Sequence, residues 1–190
     1  MVHLETPLSE EAVRALRVGD EVAISGTVWG LRDATLINWE REGRNFPPEA
    51  DLREAVLLHT QPNVKKEGGR WLPTCVGTTT SQRMDRFTRP LLEQYRVRAI
   101  VGKGGMSGDS AAAMAEYGCV YLAVVGGAAS VETLQIEEIE AVYWEHLMPE
   151  CLWRFRFKDF GPLFVAIDAH GENLHEQVTK RARERLSALI

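Results

Sequence analysis

The chain is short of cysteine, of long apolar runs and of positive charge, and each shortage removes a class of protein. Three cysteines in 190 residues, Cys75, Cys119 and Cys151, stand far apart, with no Cys-x-x-Cys pair and no histidine at metal-ligand spacing. An odd number at such separation supports neither a disulfide framework nor a self-contained zinc site. Cys119 and Cys151 lie among Val, Tyr, Leu and Trp and read as core-filling residues. A cluster held by these three thiols is disfavoured, because two of them read as strand residues rather than loop ligands. Apolar runs such as Val120 to Ala129 stop well short of the ~20 residues a membrane helix needs. Met1 to Glu5 lack the basic-then-apolar order of a secretion signal. A net charge of -5 and no concentrated basic stretch give no electrostatic ground for binding nucleic acid. A cytoplasmic protein with neither membrane nor nucleic-acid partner is expected.

What is present is a regular alternation of strand and helix patterns. With 45% hydrophobic residues the chain can bury one full core, and a single domain over residues 1–190 is expected. Leu8 to Leu16 reads as a short helix with Ser9 as N-cap, and Glu21 to Trp29 as a strand. Asp33 to Pro48 suggests a helix followed by a turn, and Ala55 to Leu58 a buried strand. Lys65 to Arg70 forms a polar turn of a hairpin. Met84, Phe87, Leu91 and Tyr95 mark one face of a helix that Pro90 is expected to kink or break. Arg98 to Val101 and Val120 to Val125 read as buried strands around an alanine-rich helix, Ser110 to Tyr117. Ile136 to Trp144, Leu152 to Phe157 and Phe164 to Ile167 follow as three strands, and Glu172 to Ile190 as a solvated terminal helix. The layout predicts an α/β domain in which a parallel sheet and a more antiparallel sheet share a core.

Two loops carry the chemistry. Gly77-Thr78-Thr79-Thr80-Ser81-Gln82-Arg83-Met84-Asp85 and Val101-Gly102-Lys103-Gly104-Gly105-Met106-Ser107-Gly108-Asp109 each set small or hydroxyl residues beside one cation, just before a helix. Helix-start amides, the positive end of the helix dipole and an Arg or Lys suit a small carboxylate or phosphate. The second loop lacks the spacing of a P-loop and has Ser107 at the third glycine position of a dinucleotide fingerprint, so a nucleotide is not expected. A tight turn alone would explain the glycines and one cap would explain a threonine. A lysine enclosed by glycines, and three threonines in a row, fit an anion site better.

With these loops, the chain resembles the C-terminal domain of class I fumarases and the β subunit of L-tartrate dehydratases. Supporting matches are Ser25-Gly26-Thr27 with Arg32-Asp33, Val64 to Gly69, Gly126 to Ala129, Pro149-Glu150 with Leu152-Trp153, and Val165 to Asp168 with Gly171. The resemblance spans roughly residues 8 to 178. It implies a swivelling β/β/α three-layer domain that closes over a 4Fe-4S cluster bound by a separate α subunit, with none bound by this chain. By the same resemblance the protein is a hydro-lyase that removes water reversibly from a 2-hydroxy dicarboxylate, malate to fumarate first, with tartrate or a mesaconate-type substrate as alternatives. Thr79, Arg83 and Lys103 are implied as catalytic residues, and Arg32, Thr78, Thr80, Gly104 and Gly105 as substrate-binding. The implied assembly is a hetero-oligomer with the α subunit, a dimer of heterodimers being one arrangement. Two positions depart from the family pattern. Arg32-Asp33 leads into Ala34-Thr35 rather than a stretch with Ala-His, and Gln61 replaces a glycine before Pro62. A non-catalytic anion-binding or regulatory domain is the alternative of a different class.

Overall fold

The computed structural model describes residues 1–187. Nine strands and six helices run in the order β1 (Val2–Glu5), α1 (Glu10–Ala15), β2 (Glu21–Leu31), α2 (Asp33–Arg41), β3 (Val56–His59), β4 (Asn63–Glu67), β5 (Arg70–Cys75), α3 (Asp85–Tyr95), β6 (Ala99–Gly102), α4 (Gly108–Tyr117), β7 (Val120–Ala123), α5 (Ala129–Leu134), β8 (Ile136–Tyr143), β9 (Leu152–Ile167) and α6 (Leu174–Ser187). Short 3₁₀ turns sit at Ser81–Met84 and Glu145–Leu147. Ser9 caps α1 through its hydroxyl, which accepts from the Ala12 amide at 3.1 Å. Gly118 ends α4 in the left-handed conformation that favours glycine.

The large sheet has the order β1-β2-β3-β6-β7-β9-β8, with β2 also pairing β9. The pairs β1–β2, β2–β3, β3–β6 and β6–β7 are parallel, and β9 is antiparallel to β2, β7 and β8. The β2–β9 pairing closes a circuit through β3, β6 and β7. Side chains of opposite pleat therefore enter two different cores. One lies inside the circuit, with Val22, Ile24, Val56, Val101, Leu122, Phe155, Phe157 and Val165 buried together. The other lies between the parallel strands and the helices, where Leu57, Ile100 and Tyr121 meet Trp39 of α2, Phe87 and Leu91 of α3 and Met114 of α4. Sheet, sheet and helix layers follow from this alternation.

Two details differ from the sequence expectation. Leu152–Phe157 and Phe164–Ile167 are parts of one strand, because β9 follows β2 from Glu21 opposite Phe164 to Gly30 opposite Trp153. Two register shifts in that ladder absorb the turn-like Asp159 to Pro162 stretch, where Asp159 has φ +49° and its amide donates to Ser25 Oγ at 3.0 Å. The expected smaller antiparallel sheet is the β4–β5 hairpin, and β8 and β9 join the large, mainly parallel sheet. Finally, Pro90 lies inside α3 without ending it. Of the expected terminal helix, residues 188–190 lie outside the described residues.

Candidate functional site

The parallel strands β3 and β6 end side by side, and a ligand site in such a sheet forms at those carboxyl ends. The Gly77–Ser81 loop crosses them both. Thr60 and Thr78 form an antiparallel bridge and Thr80 and Lys103 a parallel one. The Thr79 amide donates to His59 O at 2.7 Å, the Ser81 amide to Lys103 O at 3.0 Å, and the Lys103 amide to Thr79 O at 3.4 Å. The two loops are therefore one hydrogen-bonded surface. Thr78 and Thr79 are half-buried on it and Thr80 is exposed, with no cap hydrogen bond from the Thr80 side chain. Gly104, at φ +74°, lets the chain double back after Lys103, and Gly105 rests beside the His175 ring at the start of α6.

A buried polar chain lies under this surface and was not apparent in the sequence. His59 Nδ1 is 3.0 Å from Ser81 Oγ, Ser81 Oγ is 3.1 Å from Tyr121 Oη, and Tyr121 Oη is 3.0 Å from Gly104 O. A carbonyl can only accept, so Tyr121 donates to Gly104 O. Ser81 then donates to Tyr121, and His59 donates through Nδ1 to Ser81. Burial holds the His59 imidazole down to about 4, with Asp33 opposing, and pushes the Tyr121 phenol up to about 12. Both are neutral at pH 7. The chain ties the ends of β3, β7 and both loops together without adding charge. Gly102 makes it possible, since a Cβ there would coincide with Ser81 Oγ.

The three expected cations are not equivalent. Arg32 is 8% exposed. Its Nε is 3.0 Å from Asp33 Oδ2 and 3.4 Å from Glu150 Oε2, and its Nη1 donates to Gln61 Oε1. Arg83 is half exposed and its Nη2 is 3.0 Å from the same Asp33 Oδ2. Lys103 is exposed and enters no ion pair among the described residues. An incoming carboxylate can meet Lys103 directly, can meet Arg83 beside or in place of Asp33, and reaches Arg32 only by breaking a buried network. Gln61, a departure from the family pattern, is a partner of Arg32.

Part of the α4 start is already answered from within the chain. Asp85 accepts from the Ser107 amide at 3.2 Å and from Ser110 Oγ at 2.7 Å, so the protein's own carboxylate occupies the start of α4. Glu150 does the same for α2, accepting from the Ala34 amide at 2.8 Å. At these two helix starts an internal carboxylate answers the dipole, whereas no side chain caps the turn and helix that follow the threonine loop. A further acidic group, Glu132 on α5, is buried beside the site and carries no sequence signal of its own.

The cysteines do not fit a metal cluster. Cys75 is exposed, and Cys119 and Cys151 are buried. Burial raises both buried thiols, Cys151 to about 11, against the thiolate form that cluster ligation needs.

Comparison with known proteins places these features in a family. The model of the fumarase C-terminus family matches residues 1–178. The L(+)-tartrate dehydratase subunit beta of Escherichia coli K12 is 38% identical over 191 aligned positions, which cover 98% of this chain and 92% of that protein. A protein of Geobacillus stearothermophilus, provisionally named a class I fumarate hydratase, is 36% identical over 98% of this chain but only 36% of its own length.

Proposed function

The chain belongs to the fumarase C-terminus family, and from that premise we propose that it is the β subunit of a two-subunit hydro-lyase acting on a 2-hydroxy dicarboxylate. The observation that carries the reading is the hydrogen-bonded junction of Thr79 and Thr80 with Lys103 at the ends of β3 and β6, with Arg83 on the 3₁₀ turn that follows the threonines. Malate to fumarate is the first substrate pair. Tartrate is the second, supported by the near full-length similarity to a tartrate dehydratase subunit. The corresponding segment is about a third of the longer fumarate hydratase-like relative, which supports a division of the site between this chain and a partner α subunit. A 4Fe-4S cluster on that partner would supply the Lewis acid for departure of the substrate hydroxyl.

The residues of this chain bind and orient. Lys103 takes one carboxylate on a turn whose glycines admit close approach. Arg83 takes a carboxylate through guanidinium donors beside its contact with Asp33 or in exchange for it. Arg32, fixed by Asp33, Glu150 and Gln61, sets the position of Asp33 and adds positive charge from below. Thr79 is held through its amide and its carbonyl, the latter by the Lys103 amide, and its hydroxyl is the group assigned to the proton on carbon. A neutral hydroxyl takes a proton from carbon only where cationic charge favours its alkoxide, and Arg83 and Lys103 provide that charge.

Anoxic co-expression with the α subunit, followed by assays on malate, tartrate and methylated analogues, tests the reading. Lys103→Met and Arg83→Met are each expected to lower kcat/KM on the order of a hundredfold or more, the size expected for loss of a desolvated charge contact. Full activity of both variants on every substrate, or enzyme-like turnover by this chain alone and iron-free, would overturn it.

A further inference from the structure

Glu132 sits where a carboxylate is costly. Helix α5 is fastened to the start of the threonine loop: the Val76 amide donates to Thr133 Oγ1 at 2.7 Å, Thr133 Oγ1 donates to Ala129 O at 2.5 Å, and Ala129 packs against Gly77. This holds Glu132 in place, 5% exposed, with no hydrogen-bond partner for Oε2. The residue lines an apolar groove of about 230 Å³ with Val124, Val131, Phe160 and Leu163. A carboxylate there lacks the partners that make burial tolerable. Burial accordingly pushes its carboxyl up to about 7, and the opposing influence is the ammonium of Lys103. The elements around α5 carry other ionisable groups: Arg70 and Cys75 on β5, Glu137, Glu138, Glu140 and Tyr143 on β8, Arg154, Arg156, Lys158 and Asp159 on β9. None of these displaces the Glu132 carboxyl; the charged group that does is Lys103, in the loop after β6.

We propose that Glu132 is a proton-binding site linked to Lys103, taking up one proton from solvent when a dicarboxylate occupies Lys103 and releasing it when the ligand leaves. The inference rests on the reading of Lys103 as a carboxylate clamp. In the empty site the ammonium favours the ionised carboxyl. A bound carboxylate cancels that charge, and nothing then offsets the cost of burial. One O–H bond forms on Glu132 as the buffer acid gives up its proton, and no other bond changes. The neutral carboxyl no longer repels the ligand, so affinity rises as pH falls through neutrality. By reciprocity the ligand raises the proton affinity of Glu132 by the same factor. Glu132 is in this sense a positioning residue for charge rather than a group that touches substrate.

The test is titration calorimetry of the co-assembled enzyme with succinate, which has no hydroxyl to eliminate, in two buffers of different ionisation enthalpy at pH 7. The wild type is expected to take up as much as about half a proton per site, the share left ionised in a group titrating at about 7. Glu132→Gln is expected to keep succinate binding and lose the uptake. Undiminished uptake in Glu132→Gln overturns the proposal and leaves the clamp standing. Equal succinate affinity in wild type and Lys103→Met removes the clamp and the proposal with it. Should Glu132→Gln not assemble, wild-type affinity decides: a value constant from about pH 6 to about pH 8 overturns the linkage.

Discussion

At the scale of single residues, two buried groups are displaced in opposite directions, and their effects on stability oppose one another. His59 is held down to about 4 from an ordinary value near 6.5, so between those pH values the unfolded chain binds more protons and stability falls as pH falls. Glu132 is pushed up to about 7 from 4.5, so the folded protein binds more protons in that window and its contribution is lost as pH rises. Each displacement is worth roughly 3 kcal/mol, and the windows overlap from about pH 4.5 to about pH 6.5. The wild type is expected to be nearly flat there in urea-unfolding free energy. Glu132→Gln should lose roughly 2 kcal/mol as pH is lowered across the window, and His59→Asn a similar amount as it is raised. Matching pH profiles for all three proteins would show that neither group is displaced. Neither residue announced itself in the sequence, because burial is a property of what surrounds a side chain. Thr79, Arg83 and Lys103 were legible because their loops combine residue types that packing does not require.

At the scale of elements, the site depends on contacts that join one loop to another. Asp85, at the first position of α3, caps α4 through Ser107 and Ser110. Asp85→Ala is expected to cost about 1 kcal/mol, the usual worth of a cap, measured by urea denaturation of the isolated chain. Gly102→Ala forces its new methyl onto Ser81 Oγ and should cost about 1–3 kcal/mol. It should also weaken succinate binding in the assembled enzyme, because the chain from His59 to Gly104 fixes both loops; unaltered affinity would mean that the loops hold their shape without it. Most elements were readable from local signals: the Ser9 cap, the Gly68-Gly69 hairpin turn, the apolar runs of β6 and β7. The strand β9 was not, since Asp159 to Pro162 reads locally as a turn. Only the long ladder with β2 carries it through.

At the scale of the whole molecule, β2 and β9 pair from Glu21 opposite Phe164 to Gly30 opposite Trp153, and this pairing closes the strand circuit that encloses the inner core. Amide hydrogen exchange should be slowest in the middle of β2 and in the Phe155 to Phe157 part of β9, where exchange requires global unfolding. The α6 amides, on a helix with no buried residue among those described, should exchange far faster. Equal protection of α6 and β2 would contradict this hierarchy. The amino-acid sequence by itself determined the alternation of strands and helices, the two loops and the kind of anion they suit. Those depend on local backbone preference, apolar period and side-chain chemistry, all carried by neighbouring residues. The tertiary structure alone decided that Asp85 and Glu150 fill helix starts, that Arg32 and Arg83 share Asp33, that Lys103 stands unpaired among the described residues, and that Glu132 is buried within its influence. Each of these is set by distance and desolvation between residues far apart in the chain, which no local pattern encodes.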